Sequence, residues 1–305
     1  MPRIQIVRTL GIAILLGILL AVPGPNHTDA ASDSFDPDRA MAHVIALSEG
    51  IGIREAGTPN EGRAAVYVAT QFVELGLDTR VQSVPVYHLY SQNVIAVKPG
   101  TDPEAGTIYI GAHYDTVQWG PGANDNASGV AVLLESARVL AAETFSPTLI
   151  FIGFGGEEMS LGGSSYFAGY LPPQDQYIAQ GMINLDCVGW GTAQAIGYAS
   201  ESDSPLLQKA VENAAALNIA VETERISRSD HASFSQVNIP AIMLYSYTPD
   251  APVCGPNYHQ ATDTAESVDP LAMERVSQLL LSTVRDLADD PPTRKLNTLW
   301  LPLLD

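Results

Sequence analysis

Two early segments, residues 35–49 and 58–77, repeat apolar residues at helical spacing, and each carries Asp or Asn and Pro near its start. They predict two amphipathic helices. The period then shortens. Residues 80–90 (RVQSVPVYHLY) and 93–100 (NVIAVKPG) read as strands, and GTIYI at 106–110 is a run of β-branched and aromatic residues bounded by glycine. Further strands are predicted at 147–155 (PTLIFIGFG), 181–190 (GMINLDCVGW) and 239–246 (IPAIMLYS). Helical patterns occupy 128–142, 205–218 and 271–288. Strands alternating with helices predict an α/β fold with a largely parallel sheet covered on both faces. His43 falls within the first helix and His88 on a partly exposed strand position, so both read as structural.

Composition bounds this picture without changing it. A chain of 305 residues with 46% hydrophobic content can build one large α/β domain. We assign it to residues 32–290. The net charge of −19 argues against nucleic-acid binding, since no basic patch is available to neutralise phosphates. At the N-terminus, Arg3 and Arg8 precede an uncharged apolar run and then small and polar residues, the order of a secretory signal peptide. Residues 1–31 are therefore expected to be a leader, with cleavage near Ala30 or Ala31. The apolar core is shorter than the ~20 residues a spanning helix needs. The expected location is secreted or periplasmic, with no stable membrane span after processing; the alternative is an anchor formed by an uncleaved signal. Residues 291–305, which open with the helix-breaking pair Pro291 and Pro292, are expected to form a C-terminal tail. The two cysteines, Cys187 and Cys254, form no CxxC pair, so a thiolate zinc site is not expected, while export would permit a disulfide.

The chemistry lies where the strands run out. GAHYDT places His113 and Asp115 after the strand at 106–110, and the period of two projects both to the same side. FGGEEM places Glu157 and Glu158 after the next strand, and NLDCVG places Asp186 after a third. In open α/β sheets the carboxyl ends of the strands border the ligand crevice. Between the first two motifs, GANDNASGVA sets Asp125 and Asn126 in a Gly-rich loop before a helix. Each residue has an ordinary alternative: Asp125 as a helix N-cap, Glu157 and Glu158 as a solvated pair, His113 as an interior histidine. Asp186 is harder to explain in that way, because an unpaired carboxylate among INL and CVGW would be costly to desolvate.

Clustered carboxylates need compensating cations or protons. Carboxylates together with imidazoles suit zinc, whereas an all-oxygen calcium site has no use for histidine. Two Zn²⁺ balance three carboxylates and a hydroxide, which predicts a two-metal centre. The second histidine is either His231 in SRSDHASF or His259 in GPNYHQATDT, and spacing does not choose between them.

The ordered set GAHYDT, GANDNASGVA, FGGEEMSLGGS, INLDCVGW, SDHASF and YHQATDT resembles the secreted bacterial zinc-dependent aminopeptidases. It is similar also to their wider metallopeptidase family, which includes glutamate carboxypeptidase, glutaminyl cyclase and the transferrin receptor. The resemblance implies a three-layer α/β/α sandwich around a mixed, largely parallel sheet. It implies two zinc ions per chain, with Asp125 bridging, His113 and Asp186 completing one site, and Glu158 and His259 the other. Glu157 would be the general base for a hydroxide held between the metals, Tyr258 would face the developing oxyanion, and Asp115 would orient the His113 ring. Arg228, Asp230 and His231 would line the substrate pocket. The implied substrates are peptides or proteins with a free N-terminus, cleaved after the first residue. Within the same family, a single-zinc glutaminyl cyclase and a non-catalytic binding homologue are the alternatives. NAS at Asn126 fits a glycosylation sequon, but a residue beside a bridging ligand should be inaccessible. Cys187 either packs against apolar neighbours or pairs with Cys254.

Overall fold

In the computed structural model, the described residues run from 34 to 291. The leader at 1–31 and all but the first residue of the tail at 291–305 lie outside them. The described chain begins with α1 (Pro37–Ile45) and α2 (Pro59–Glu74), followed by β1 (Asp78–Val86), β2 (Leu89–Lys98) and β3 (Thr107–His113). Next come α3 (Gly129–Ala141), β4 (Thr148–Phe154), α4 (Gly162–Gly169), α5 (Pro173–Ile178), β5 (Ala179–Leu185) and β6 (Ala193–Tyr198). The remainder comprises α6 (Ser204–Ala216), β7 (Val221–Arg225), α7 (His231–Gln236), β8 (Ala241–Tyr247) and α8 (Pro270–Asp289). Three helices start by one device. Asp36, Thr58 and Asp269 accept backbone N–H bonds through their side chains, and a proline follows each at the first helical position, where its missing N–H costs nothing.

The eight strands form one sheet in the order β1-β2-β4-β3-β5-β8-β6-β7. The central pairs β4/β3, β3/β5 and β5/β8 are parallel, as is β6/β7, while β1/β2, β2/β4 and β8/β6 are antiparallel. The sheet is therefore mixed, with a parallel centre. Alternation along the strands feeds two cores. Ile108, Ile110, Leu149, Phe151 and Ile183 face one side, packing with Val44 of α1, Phe72 of α2, Leu133 of α3, Ala210 of α6 and Leu280 of α8. Tyr109, Ile152, Phe154 and Met182 face the other, against Phe167 of α4 and Phe234 of α7. Three layers result, as the resemblance implies.

Some local expectations need correction. The run at 80–90 is not one strand: it turns at Tyr87 and His88, with Val86 opposite Leu89, and β2 starts at Leu89. No glycine or asparagine announces that turn; Tyr87 itself takes φ 51°. His88 is accordingly an exposed turn residue. β6 and β7 carry too few β-branched or aromatic residues to stand out as strands, and pairing with β8 and with each other defines them. His43 is structural: its Nδ1 lies 2.7 Å from the Tyr67 hydroxyl, and burial, then Arg39, pushes its pKa down to about 4.

Candidate metal centre

Parallel pairing brings the ends of β3, β4 and β5 together, because His113 lies opposite Phe154 and Gly111 opposite Asn184. His113 is therefore the last residue of a central strand and is buried. Glu157 follows β4 by three residues, and Asp186 follows β5 directly. Asp125 sits in the turn of residues 123–128 that leads into α3. It is not the helix cap: the Asn126 carboxamide accepts from Gly129 N at 3.0 Å and donates to the Leu185 carbonyl at 2.8 Å. Those bonds bury Asn126 completely, which closes the sequon to modification. The Asp125 side chain is left to face the two imidazoles.

One carboxylate spans both rings. Asp125 Oδ1 lies 3.4 Å from His113 Nε2, and its Oδ2 lies 3.2 Å from His259 Nε2. Asp186 Oδ1 is 3.7 Å from the first imidazole, and Glu158 Oε2 is 3.1 Å from the second. Two sets of donor atoms result, His113–Glu157–Asp186 and Asp125–Glu158–His259, each within 4.8 Å of one another. Of the two histidines left open by spacing, His259 joins the cluster. His231 is buried elsewhere, with Nε2 2.9 Å from the Ile226 carbonyl. Cys187 and Cys254 also lie near Asp186, but they form a disulfide and so offer no thiolate.

The donor set fits divalent metal ions. Asp125 Oδ2, Asp186 Oδ1, Glu158 Oε1 and His259 Nε2 are buried atoms without a hydrogen bond of good geometry, an arrangement that is expensive unless a cation faces them. Burial pushes the Glu157 carboxyl well above the usual range, and the neighbouring Asp230, Asp186 and Glu158 act in the same direction against the opposing influence of His113. Asp125 and Glu158 hold the His259 imidazole up to about 10. Mixed imidazole and carboxylate donors suit zinc and its first-row neighbours.

Residues around the donors hold them in place. Asp115 is fully buried, with Oδ1 3.4 Å from His113 Nδ1. It also accepts the backbone N–H groups of Glu157 at 3.0 Å and Glu158 at 3.1 Å, so one carboxylate ties the end of β3 to the loop after β4. Asp263 does the same for the bridging position, accepting from Asn124 N and Asp125 N at 2.8 and 3.0 Å. Arg54 is entirely buried and donates to the carbonyls of Tyr114, Leu47, Gly52, Pro121 and Gly122, closing the chain between His113 and Asp125 around its guanidinium. The sequence reading missed Arg54 and Asp263. Asp263 stood in the YHQATDT motif, four residues from His259, but Arg54 had no local signal, since its partners are distant backbone carbonyls.

Tyr258 stacks on the His259 ring with centroids 3.8 Å apart. Burial, followed by the surrounding acids, raises the pKa of its phenol, which therefore remains a hydrogen-bond donor. A cavity of about 290 Å³ opens beside the cluster, bordered by Tyr258, Ile226, Met243, Val253 and Arg228. The expected trio of pocket residues divides. Arg228 lines the cavity, but Asp230 and His231 are wholly buried at the start of α7 and do not reach its wall.

Comparison with known proteins is consistent with this geometry. Residues 93–284 match the model of peptidase family M28. The chain is 31% identical over 275 residues to leupeptin-inactivating enzyme 1 of Streptomyces exfoliatus, covering 82% of this chain and 62% of that protein. It is 30% identical over 200 residues to aminopeptidase YwaD of Bacillus subtilis, covering 64% and 44% respectively. The chain thus spans less than two thirds of either relative. In fold it resembles the zinc aminopeptidase BSAP from Bacillus subtilis, with a TM-score of 0.79 and 19% identity over 86% of this chain and 98% of that one. The glutaminyl cyclase of Porphyromonas gingivalis superposes with a TM-score of 0.72 and 24% identity over 84% and 99%. The family match covers the whole candidate centre from His113 to Asp263, and the chain belongs to peptidase family M28.

Proposed function

We propose that the protein is a zinc-dependent aminopeptidase, holding two Zn²⁺ and removing the first residue from peptides with a free N-terminus. The observation that carries this reading is the Asp125 carboxylate set between His113 and His259, with Asp186 beside the first imidazole and Glu158 beside the second. His113 and Asp186 would hold one ion, Glu158 and His259 the other, and Asp125 both. Bound zinc would supply Lewis-acid polarisation of the scissile carbonyl and acidify the attacking water. Glu157, whose buried carboxyl lies beside the His113 and Asp186 donors, accepts the proton of that water and passes it to the leaving amine. Tyr258 donates its hydroxyl hydrogen to the oxygen on which negative charge develops. Asp115 keeps the His113 ring and the Glu157–Glu158 backbone in register. The acidic surround attracts the α-ammonium of the substrate, which limits cleavage to the first residue.

Aminoacyl-anilide hydrolysis, assayed with and without a chelator, tests the proposal. Activity should vanish on chelation and return with zinc, and elemental analysis should give two ions per chain. Chelator-resistant hydrolysis would sink the metal assignment. One zinc per chain with cyclisation of N-terminal glutamine would replace the aminopeptidase by a glutaminyl cyclase.

A further inference from the structure

A second cleft, of about 160 Å³, shares Glu158 with the first as a lining residue. Its wall includes Val117, Trp119, Met159 and Glu55, and no basic residue. Trp119 is 62% exposed, so its indole contributes little to the core. Yet it is presented on a fixed loop. At one end, Thr116 exchanges bonds with the Arg54 backbone, its Oγ1 accepting from Arg54 N at 2.9 Å. At the other, the carbonyls of Pro121 and Gly122 accept from the Arg54 guanidinium. Between them Gly120 lies so close to the Gln260 carbonyl that a β-carbon would come within 2.1 Å of it, so the loop tip rests on the segment carrying His259. A large aromatic held rigidly beside a reaction centre, with its surface open, is a binding feature.

We propose that this cleft is the subsite for the residue following the scissile bond, and that it prefers lysine or arginine there. The inference rests on the aminopeptidase reading, which puts the scissile carbonyl at the metal donors; the larger, partly apolar cavity beside them then takes the first residue. Successive residues of an extended peptide are ~3.3–3.6 Å apart along the chain, so the second side chain emerges next to Glu158. An indole face with a carboxylate nearby matches an apolar stem ending in a cation. Glu55 supplies that charge, because Glu158 is committed to the metal donors.

The test compares leucinamide, Leu-Ala-amide, Leu-Glu-amide and Leu-Lys-amide. The expected order of kcat/KM places lysine about five- to tenfold above alanine and glutamate lowest, with the differences in KM. In Trp119→Ala and Glu55→Gln proteins the ratio of Leu-Lys-amide to leucinamide should fall by a similar factor. Calorimetric titration of Glu157→Gln protein with the same dipeptide amides should give the same ranking without turnover. If all the dipeptide amides are hydrolysed and bound alike, or if the variants lose leucinamide and Leu-Lys-amide in equal proportion, the subsite is refuted and the aminopeptidase reading stands. If lysine is preferred in binding but nothing is hydrolysed, the aminopeptidase reading fails and the cation-selective cleft survives.

Discussion

His113 and His259 face the same Asp125 carboxylate, yet they are held there by different means. His113 ends a central strand, is 1% exposed at its side chain, and is set by register with β4 and β5. His259 lies in the long connection between β8 and α8, is 31% exposed, and takes φ 58°, in the left-handed region that costs a residue with a β-carbon roughly 1–2 kcal/mol. Its position is maintained locally. Thr262 Oγ1 donates to Asn257 Oδ1, Tyr258 stacks on the ring, and the Cys187–Cys254 disulfide ties the start of the segment to the residue after Asp186. The strand half of the centre is a consequence of the sheet itself, whereas the loop half needs its own fastenings. The two halves should therefore fail independently.

The bridging residue is the exception, and it gives the largest expected effect. Asp125→Ala removes the one carboxylate shared by both halves, so turnover should vanish and zinc content should fall at both positions. Elemental analysis retaining two ions would break the comparison at its centre.

Glu157→Gln, on the strand side, keeps shape and hydrogen-bonding capacity but cannot accept a proton. Turnover should drop ~10²–10⁴-fold with both ions bound, the usual contribution of general-base catalysis. Glu158→Gln should instead weaken metal at the loop half, because an amide oxygen is a poorer donor. If Glu157→Gln loses metal while Glu158→Gln does not, the two roles must be exchanged.

On the loop side, Tyr258→Phe deletes one hydroxyl and leaves the ring to stack on His259. The kcat should fall about 10²-fold, the usual cost of an oxyanion donor, with metal content unchanged. An unchanged kcat would remove Tyr258 from the reaction.

The smallest effect on turnover is expected from Cys187→Ser with Cys254→Ser. Activity should fall about tenfold, and amide exchange should quicken more in residues 248–264 than in β3 and β5. The bridge closes a 67-residue span, for which chain entropy predicts a loss of about 4 kcal/mol in global stability, measurable by denaturant titration. Exchange quickening equally at the ends of β3 and β5 would show that the two halves share one support.

These differences follow how each half was written in the sequence. The strand-borne residues were legible because a run such as GTIYI that ends in His113 and Asp115 puts polar chemistry where apolar periodicity stops. The order of the motifs carried the resemblance that singled out His259 over His231. The SRSDHASF segment gives no sign of which side chains turn inward at the start of α7, where Asp230 and His231 are buried. The turn at Tyr87 and the strands β6 and β7 escaped notice for want of any local marker.

By itself, the sequence determined the alternation of helix and strand, the two proline-led helices at its start, and the gathering of acids and histidines at strand ends. All of these are encoded within a few neighbouring residues. Only the tertiary structure decided that Asp125 would stand between His113 and His259, that Cys187 would join Cys254, and that Arg54 would close the loop from Tyr114 to Gly122. Those contacts join residues far apart in the chain. They depend on strand order, register and the buried carbonyls that a guanidinium can reach, which no short stretch of sequence specifies.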